Sequence, residues 1–98
     1  MELHKLMTEE ELRGETTLIA RIVLDPSSEI AYHRHDGEIE TYCVISGEGM
    51  FRDVDGIEKH IGPGEIGVME EGQSHGIRNL SDTEPLVFLA VVVKKEAV

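Results

Sequence analysis

"AYHRHDGEIETYCVISGEG", residues 31–49, decides how this chain reads. It sets two histidines one residue apart, follows them with an Asp-Gly turn signal, and then alternates apolar and polar residues up to a pair of glycines. Extended backbone sends residues i and i+2 to the same face, so His33 and His35 project together with Cβ atoms about 6.6 Å apart, twice the rise per residue. Two imidazoles so placed can converge on one ion. Arg34, between them, must face the other way. The turn at Asp36 and Gly37 reverses the chain, and the next strand is expected to bring Glu40, Tyr42 and Val44 back to the face that carries the histidines. Glu40 is then the oxygen ligand on offer, whereas Asp36 and Glu38, in and just past the turn, read as solvated charges.

Working outward, the same rhythm fills the chain. Turn signals recur at residues 25–28, 36–37, 46–49, 54–56, 62–65, 70–74 and 81–85. Between them lie about eight segments of strand length, 17–24, 29–35, 39–45, 49–54, 57–61, 65–69, 74–79 and 86–93, rich in Ile and Val. The expectation is an all-β sandwich or barrel. Thr8 and Glu11 fit a capping box, and Gly14 follows after barely a turn, so at most a short N-terminal helix precedes the first strand. With 98 residues, the expected organisation is one domain over 1–98.

A His-x-His pair alone is more often a surface accident, or two hydrogen-bonded histidines in a small core, than a metal site. A second stretch changes that balance. "GEIGVMEEGQSHGIRN", residues 64–79, holds another strand, a glycine turn and His75 at the start of a further strand, so three histidines and a glutamate become available.

These residues resemble the cupin family, whose motifs are G(x)5HxH(x)3–4E(x)6G and G(x)5PxG(x)2H(x)3N. His33, His35, Glu40 and Gly47 fall on the first pattern, with Ser27 in place of its leading glycine. Gly64, Gly72, His75 and Asn79 fall on the second, with Glu70 in place of the proline. The resemblance implies a small double-stranded, jelly-roll-like β-barrel in which His33, His35, Glu40 and His75 bind one divalent transition metal. Three imidazoles and one carboxylate suit Mn, Fe, Co, Ni or Zn. Four protein ligands on a metal that accepts six leave two adjacent positions for a bidentate oxygen ligand.

Two functions follow from that resemblance. One is a metalloenzyme on an oxygen-rich small molecule, with dioxygenation slightly favoured because it asks little of the protein beyond the metal. The other is a non-catalytic binder of a metal or small ligand. Tyr42 is a substrate-binding candidate, although an aromatic on this face more often fills the core. Arg52 is another, as one of two arginines, with Arg21, not excluded by alternation from the ligand histidines. Asn79 reads as a loop anchor, Cys43 as an apolar filler, Met50 and Met69 as barrel lining, and His4 and His60 as lacking a partner at ligand spacing.

Composition narrows the partners. Twenty acidic against nine basic residues give a net charge of −11, which repels phosphate backbones and anionic headgroups, so neither nucleic acid nor membrane is an expected partner. The longest apolar run, "LVFLAVVV" (86–93), is far short of the roughly 20 residues of a spanning helix. A single cysteine and no signal-peptide pattern point to the cytoplasm. The same apolar run is hydrophobic on both faces, and on that ground a homodimer joined through terminal edge strands is expected.

Overall fold

Alternation settles which side of each long strand is inside. Along Thr16–Leu24 (β2), Ala20, Ile22 and Leu24 are buried while Arg21 is exposed. Along Leu86–Lys94 (β9), Leu86, Phe88, Ala90 and Val92 are buried, and along Glu38–Ser46 (β4) so are Glu40, Tyr42 and Val44. The computed structural model describes residues 1–34, 36–53, 55–70 and 72–94. The described residues are all-β apart from one four-residue helix, Glu9–Leu12 (α1). Its N-cap Thr8 and its Glu11 form the reciprocal capping box expected of them. Arg13 ends it in the left-handed conformation.

The remaining strands are Glu2–Lys5 (β1), Glu29–Arg34 (β3), Gly49–Arg52 (β5), Glu58–Ile61 (β6), Ile66–Met69 (β7) and Ser74–Asn79 (β8). They make two antiparallel sheets, one ordered β1-β2-β9-β4-β7 and the other β3-β8-β5-β6. The first strand was not legible as one, because all four of its residues are exposed and carry no alternation.

Between the sheets lies one apolar cluster. Ile22, Leu24, Tyr42, Val44, Met69, Leu86, Phe88 and Ala90 come from the five-stranded sheet, and Phe51, Ile61 and Ile77 from the four-stranded one. Each large side chain fully buried there contributes roughly 1.5–3 kcal/mol. Met50 is a correction, for it pairs opposite Arg78 and His60, both exposed, on the outer side of its sheet.

Two further expectations change. The apolar run 86–93 is not an edge: β9 lies between β2 and β4, and its second apolar face, Val87, Leu89, Val91 and Val93, looks outward half-buried. The turn at 36–37 does not make a hairpin either. It carries the chain from β3 in one sheet to β4 in the other, so Glu40 faces the histidine strand across the interior instead of joining it on one face.

At the end of β4, Gly47 has φ of 90°, and a Cβ there would lie 2.7 Å from the Pro85 carbonyl oxygen. Only glycine lets the loop before β9 close on this turn. Asn79 fastens the neighbouring loops as expected: its Nδ2 donates to the carbonyls of Leu24, Asp25 and Glu84 at 3.2, 3.2 and 2.9 Å. The turn where Glu70 replaces the motif proline is closed by Gln73, whose side chain accepts from the Glu70 N–H at 3.0 Å.

Candidate metal centre

β8 presents His75, Ile77 and Asn79 to the interior by simple alternation, and His75 is completely buried. Its neighbour β3 does not alternate simply. Ile30 pairs with Ile77 and His33 with His75, so two residues of β3 stand opposite one of β8. This bulge at Ala31 and Tyr32 lets Ile30 pack against the core and His33 also turn inward, an odd number of residues apart. Gly76 makes the room: a Cβ on it would lie 3.0 Å from the Ile30 carbonyl oxygen and 3.1 Å from the Tyr32 nitrogen.

The result sets the His33 and His75 rings edge to face, with centroids 4.4 Å apart. From the opposite sheet Glu40, only 6% exposed, brings Oε1 to 3.0 Å from His75 Nε2. His33, Glu40 and His75 each offer a ligand atom, and these atoms all lie within 4.8 Å of one another. A carboxylate and an imidazole taken out of water together need a charge-matched environment, which a divalent cation supplies. Two nitrogens and an oxygen form a donor set of borderline hardness, suited to a divalent first-row ion. The Ala31 carbonyl lies 2.6 Å from His33 Nδ1. A carbonyl only accepts, so Nδ1 carries the hydrogen in that contact and Nε2 presents the lone pair.

Tyr42, two residues beyond Glu40, sits beneath the cluster with its hydroxyl 3.3 Å from His75 Nε2. Its ring packs on Phe88 and Phe51, at centroid distances of 4.7 and 6.3 Å. Burial above all, then the Glu40 charge and a hydrogen bond to it, pushes the phenol well above its ordinary range, so the hydroxyl stays a donor.

The other residues singled out in the sequence stand apart from this cluster or lie outside the described residues. His35 lies outside the described residues. Arg34 faces out and pairs with Asp36 at 2.8 Å. Arg52 is not brought to the cluster: it lies on the outer side of the four-stranded sheet, with its guanidinium 4.3 Å over the Tyr32 ring. There it lines a groove of about 130 Å³ with Glu29, Glu58 and Arg78. His60, read as without a partner at ligand spacing, stands apart from the cluster and pairs with Glu48 at 2.6 Å at the surface.

Glu38 is the residue that sequence reasoning underrated. It is half-buried, not a fully solvated charge, and accepts from the Thr17 hydroxyl at 3.0 Å. The signal was available, since Glu38 stands two residues before Glu40 and alternation along β4 sends both the same way.

Comparison with known proteins agrees with this geometry. Residues 20–92 match the Cupin domain family. An oxalate-binding protein of Thermotoga maritima is 37% identical over 93 residues, covering 95% of this chain and 75% of that protein. The crystal structure of a "predicted oxalate decarboxylase" from Thermotoga maritima superposes with a TM-score of 0.90 at 35% identity, over 96% of this chain and 80% of that one. A conserved double-stranded β-helix protein from Klebsiella pneumoniae gives a TM-score of 0.74 at 33% identity, over 86% of this chain and 71% of that one.

Proposed function

We propose that this chain, which belongs to the cupin family, is a metal-dependent binder of small oxygen-rich acids, with oxalate or a similar chelating dicarboxylate as the ligand. His33, His35, Glu40 and His75 hold one divalent metal, and Tyr42 steadies Glu40 and His75 from below. When bound, the metal supplies the positive charge and open positions that a two-oxygen chelator needs. The convergence of His33, Glu40 and His75 within 4.8 Å carries this reading. The likeness to an oxalate-binding protein supports the ligand class. The working form is a cytoplasmic homodimer, each chain a single domain over 1–98.

A second reading, a dioxygenase-like metalloenzyme, draws support from the aromatic surroundings of His75. Phe51 stacks parallel to its ring at 6.4 Å and Tyr42 stands edge-on at 5.4 Å, an environment that limits water.

The test is elemental analysis of protein purified without chelator, followed by calorimetric titration of oxalate into metal-loaded and metal-stripped samples, with acetate as the one-carboxylate control. About one metal per chain and oxalate heat only in the loaded sample are expected. No metal after reconstitution sinks the reading, and dioxygen uptake with diketone or keto-acid substrates promotes the second.

A further inference from the structure

We infer that the groove on the outer side of the four-stranded sheet is a binding site for a small zwitterion, an α-amino acid with a short apolar side chain. The groove lies on the opposite side of β3 and β8 from the candidate metal centre, and none of His33, Glu40 and His75 lines it.

Its floor is a missing side chain. Gly76 of β8 stands in register with Arg52 of β5, and Arg52 in turn with Glu58 of β6. Beyond Gly76, the bulge that turns His33 inward leaves Tyr32 at the surface. Arg52 and Tyr32 therefore meet across the bare backbone of Gly76, guanidinium over ring at 4.3 Å. Tyr32 is itself tied down, its hydroxyl donating to the Asp53 carbonyl at 2.9 Å. The loop at Gly56 also approaches the guanidinium: a Cβ there would lie 3.7 Å from Nη2. A guanidinium stacked in this way keeps its planar fork of N–H donors at the edge, and a carboxylate meets that fork with two parallel bonds.

Charge selects the occupant. Four ionised side chains line the groove, Arg52, Arg78, Glu29 and Glu58, and their charges sum to zero. Arg78 reaches across β5 to Glu58 at 3.0 Å, so that pair satisfies itself. Arg52 and Glu29 have no ion pair among the described residues, which leaves one cation and one carboxylate over in the same groove. Their strands are two apart, roughly 10 Å, a gap that two long side chains and one amino acid bridge. A dicarboxylate would gain a partner for one end only and would meet the field of a chain of net charge −11, whereas a zwitterion carries no net charge. Met50, half-buried and opposite Arg78, offers apolar surface to a short side chain. At about 130 Å³ the groove is well below the roughly 300–1,000 Å³ of pockets that hold larger ligands, which limits the occupant to amino-acid size.

The experiment titrates L-valine into isotope-labelled wild type, zinc-loaded and metal-stripped, and follows amide and arginine Nε–H signals by NMR. Isovalerate, which keeps the carboxylate alone, and isobutylamine, which keeps the ammonium alone, are titrated alongside. L-Valine should move the Arg52, Gly76 and Arg78 signals in both samples and saturate with a dissociation constant of about 1 mM or below. Each analogue should bind at least about tenfold more weakly. Arg52→Gln and Glu29→Gln, both at exposed positions, should keep the circular dichroism spectrum and each raise the valine constant at least about tenfold. No saturation by about 20 mM valine, analogues that bind as tightly as valine, or variants that bind like wild type overturn the site. Shifts confined to the zinc-loaded sample place the amino acid at the metal centre and overturn it too, while metal and oxalate binding are judged by their own titrations. If a variant does not fold, the comparison of valine with its analogues on wild type decides alone.

Discussion

The two sheets that close on the candidate metal centre obey different rules. The five-stranded sheet is framed by three nine-residue strands, apolar on both sides, and delivers Glu40 and Tyr42 by strict alternation. The four-stranded sheet has strands of four to six residues, an ionised outer face, and the bulge that turns His33 inward beside His75. The long ladders therefore supply the frame, and the interruption in a short one supplies the aim. A ligand set for one ion has to be drawn from both sides of the interior, and only a local break in pairing lets an exposed strand contribute to it.

Removing a buried aromatic from each sheet tests the frame hardest. Phe88→Ala and Phe51→Ala, both at completely buried positions, should each cost about 3–5 kcal/mol in urea unfolding. Phe51 also stacks on His75, so its loss should weaken metal binding more than loss of Phe88. Equal metal affinity in the two variants would blur the division between frame and aim.

Next comes Gly76→Val, which presses a side chain onto the Ile30 and Tyr32 backbone at the bulge. Overpacking of this kind costs about 1–3 kcal/mol. Metal content should fall as well, because His33 is displaced. A variant that is destabilised yet fully metal-loaded would show that the bulge does not set the ligand.

Smaller in free energy is His75→Ala, which should lower metal affinity by at least about tenfold, judged by competition with a chelator. Arg34→Ala, one residue from His33 but facing solvent, should leave metal content unchanged and stability within about 0.5 kcal/mol. Metal retained without His75, or lost without Arg34, would reverse the assignment of inner and outer faces.

The smallest effect belongs to α1, packed against the start of β2. The backbone N–H and hydroxyl of Thr8 hold the Glu11 carboxyl below its usual range. Its folded value is depressed, so the stabilisation is complete above the ordinary carboxylate range and fades as pH falls through Glu11's own value. A side-chain NMR titration should find Glu11 below the ordinary glutamate value, and a curve centred on that value would refute the cap.

Much of this was legible in the sequence, for a physical reason. Strand, turn and capping signals are local, and residues such as Thr8, Glu11 and the alternating stretches of β2, β4 and β9 behave as their neighbours dictate. What escaped was non-local. That β3 and β4 part into different sheets at Gly37 depends on which strands pair, and β9 took the centre because both of its neighbours came from distant segments. Glu38 was legible in principle, but its place beside a turn outweighed its parity with Glu40.

The bulge also governs how the chain can tolerate change in length. Sidedness in a strand is a matter of odd and even, and the extra residue between Ile30 and His33 switches that count once, in mid-strand. Exchanging Ala31 or Tyr32 for another residue leaves the count intact, since both lie at the surface. Deleting either would leave Ile30 and His33 two positions apart, a spacing that unbroken alternation sends to one face, so both could stay inward and Arg34 outward with no bulge at all. Losing one residue here would therefore take the bulge out of the strand without turning over the chemistry of the wall.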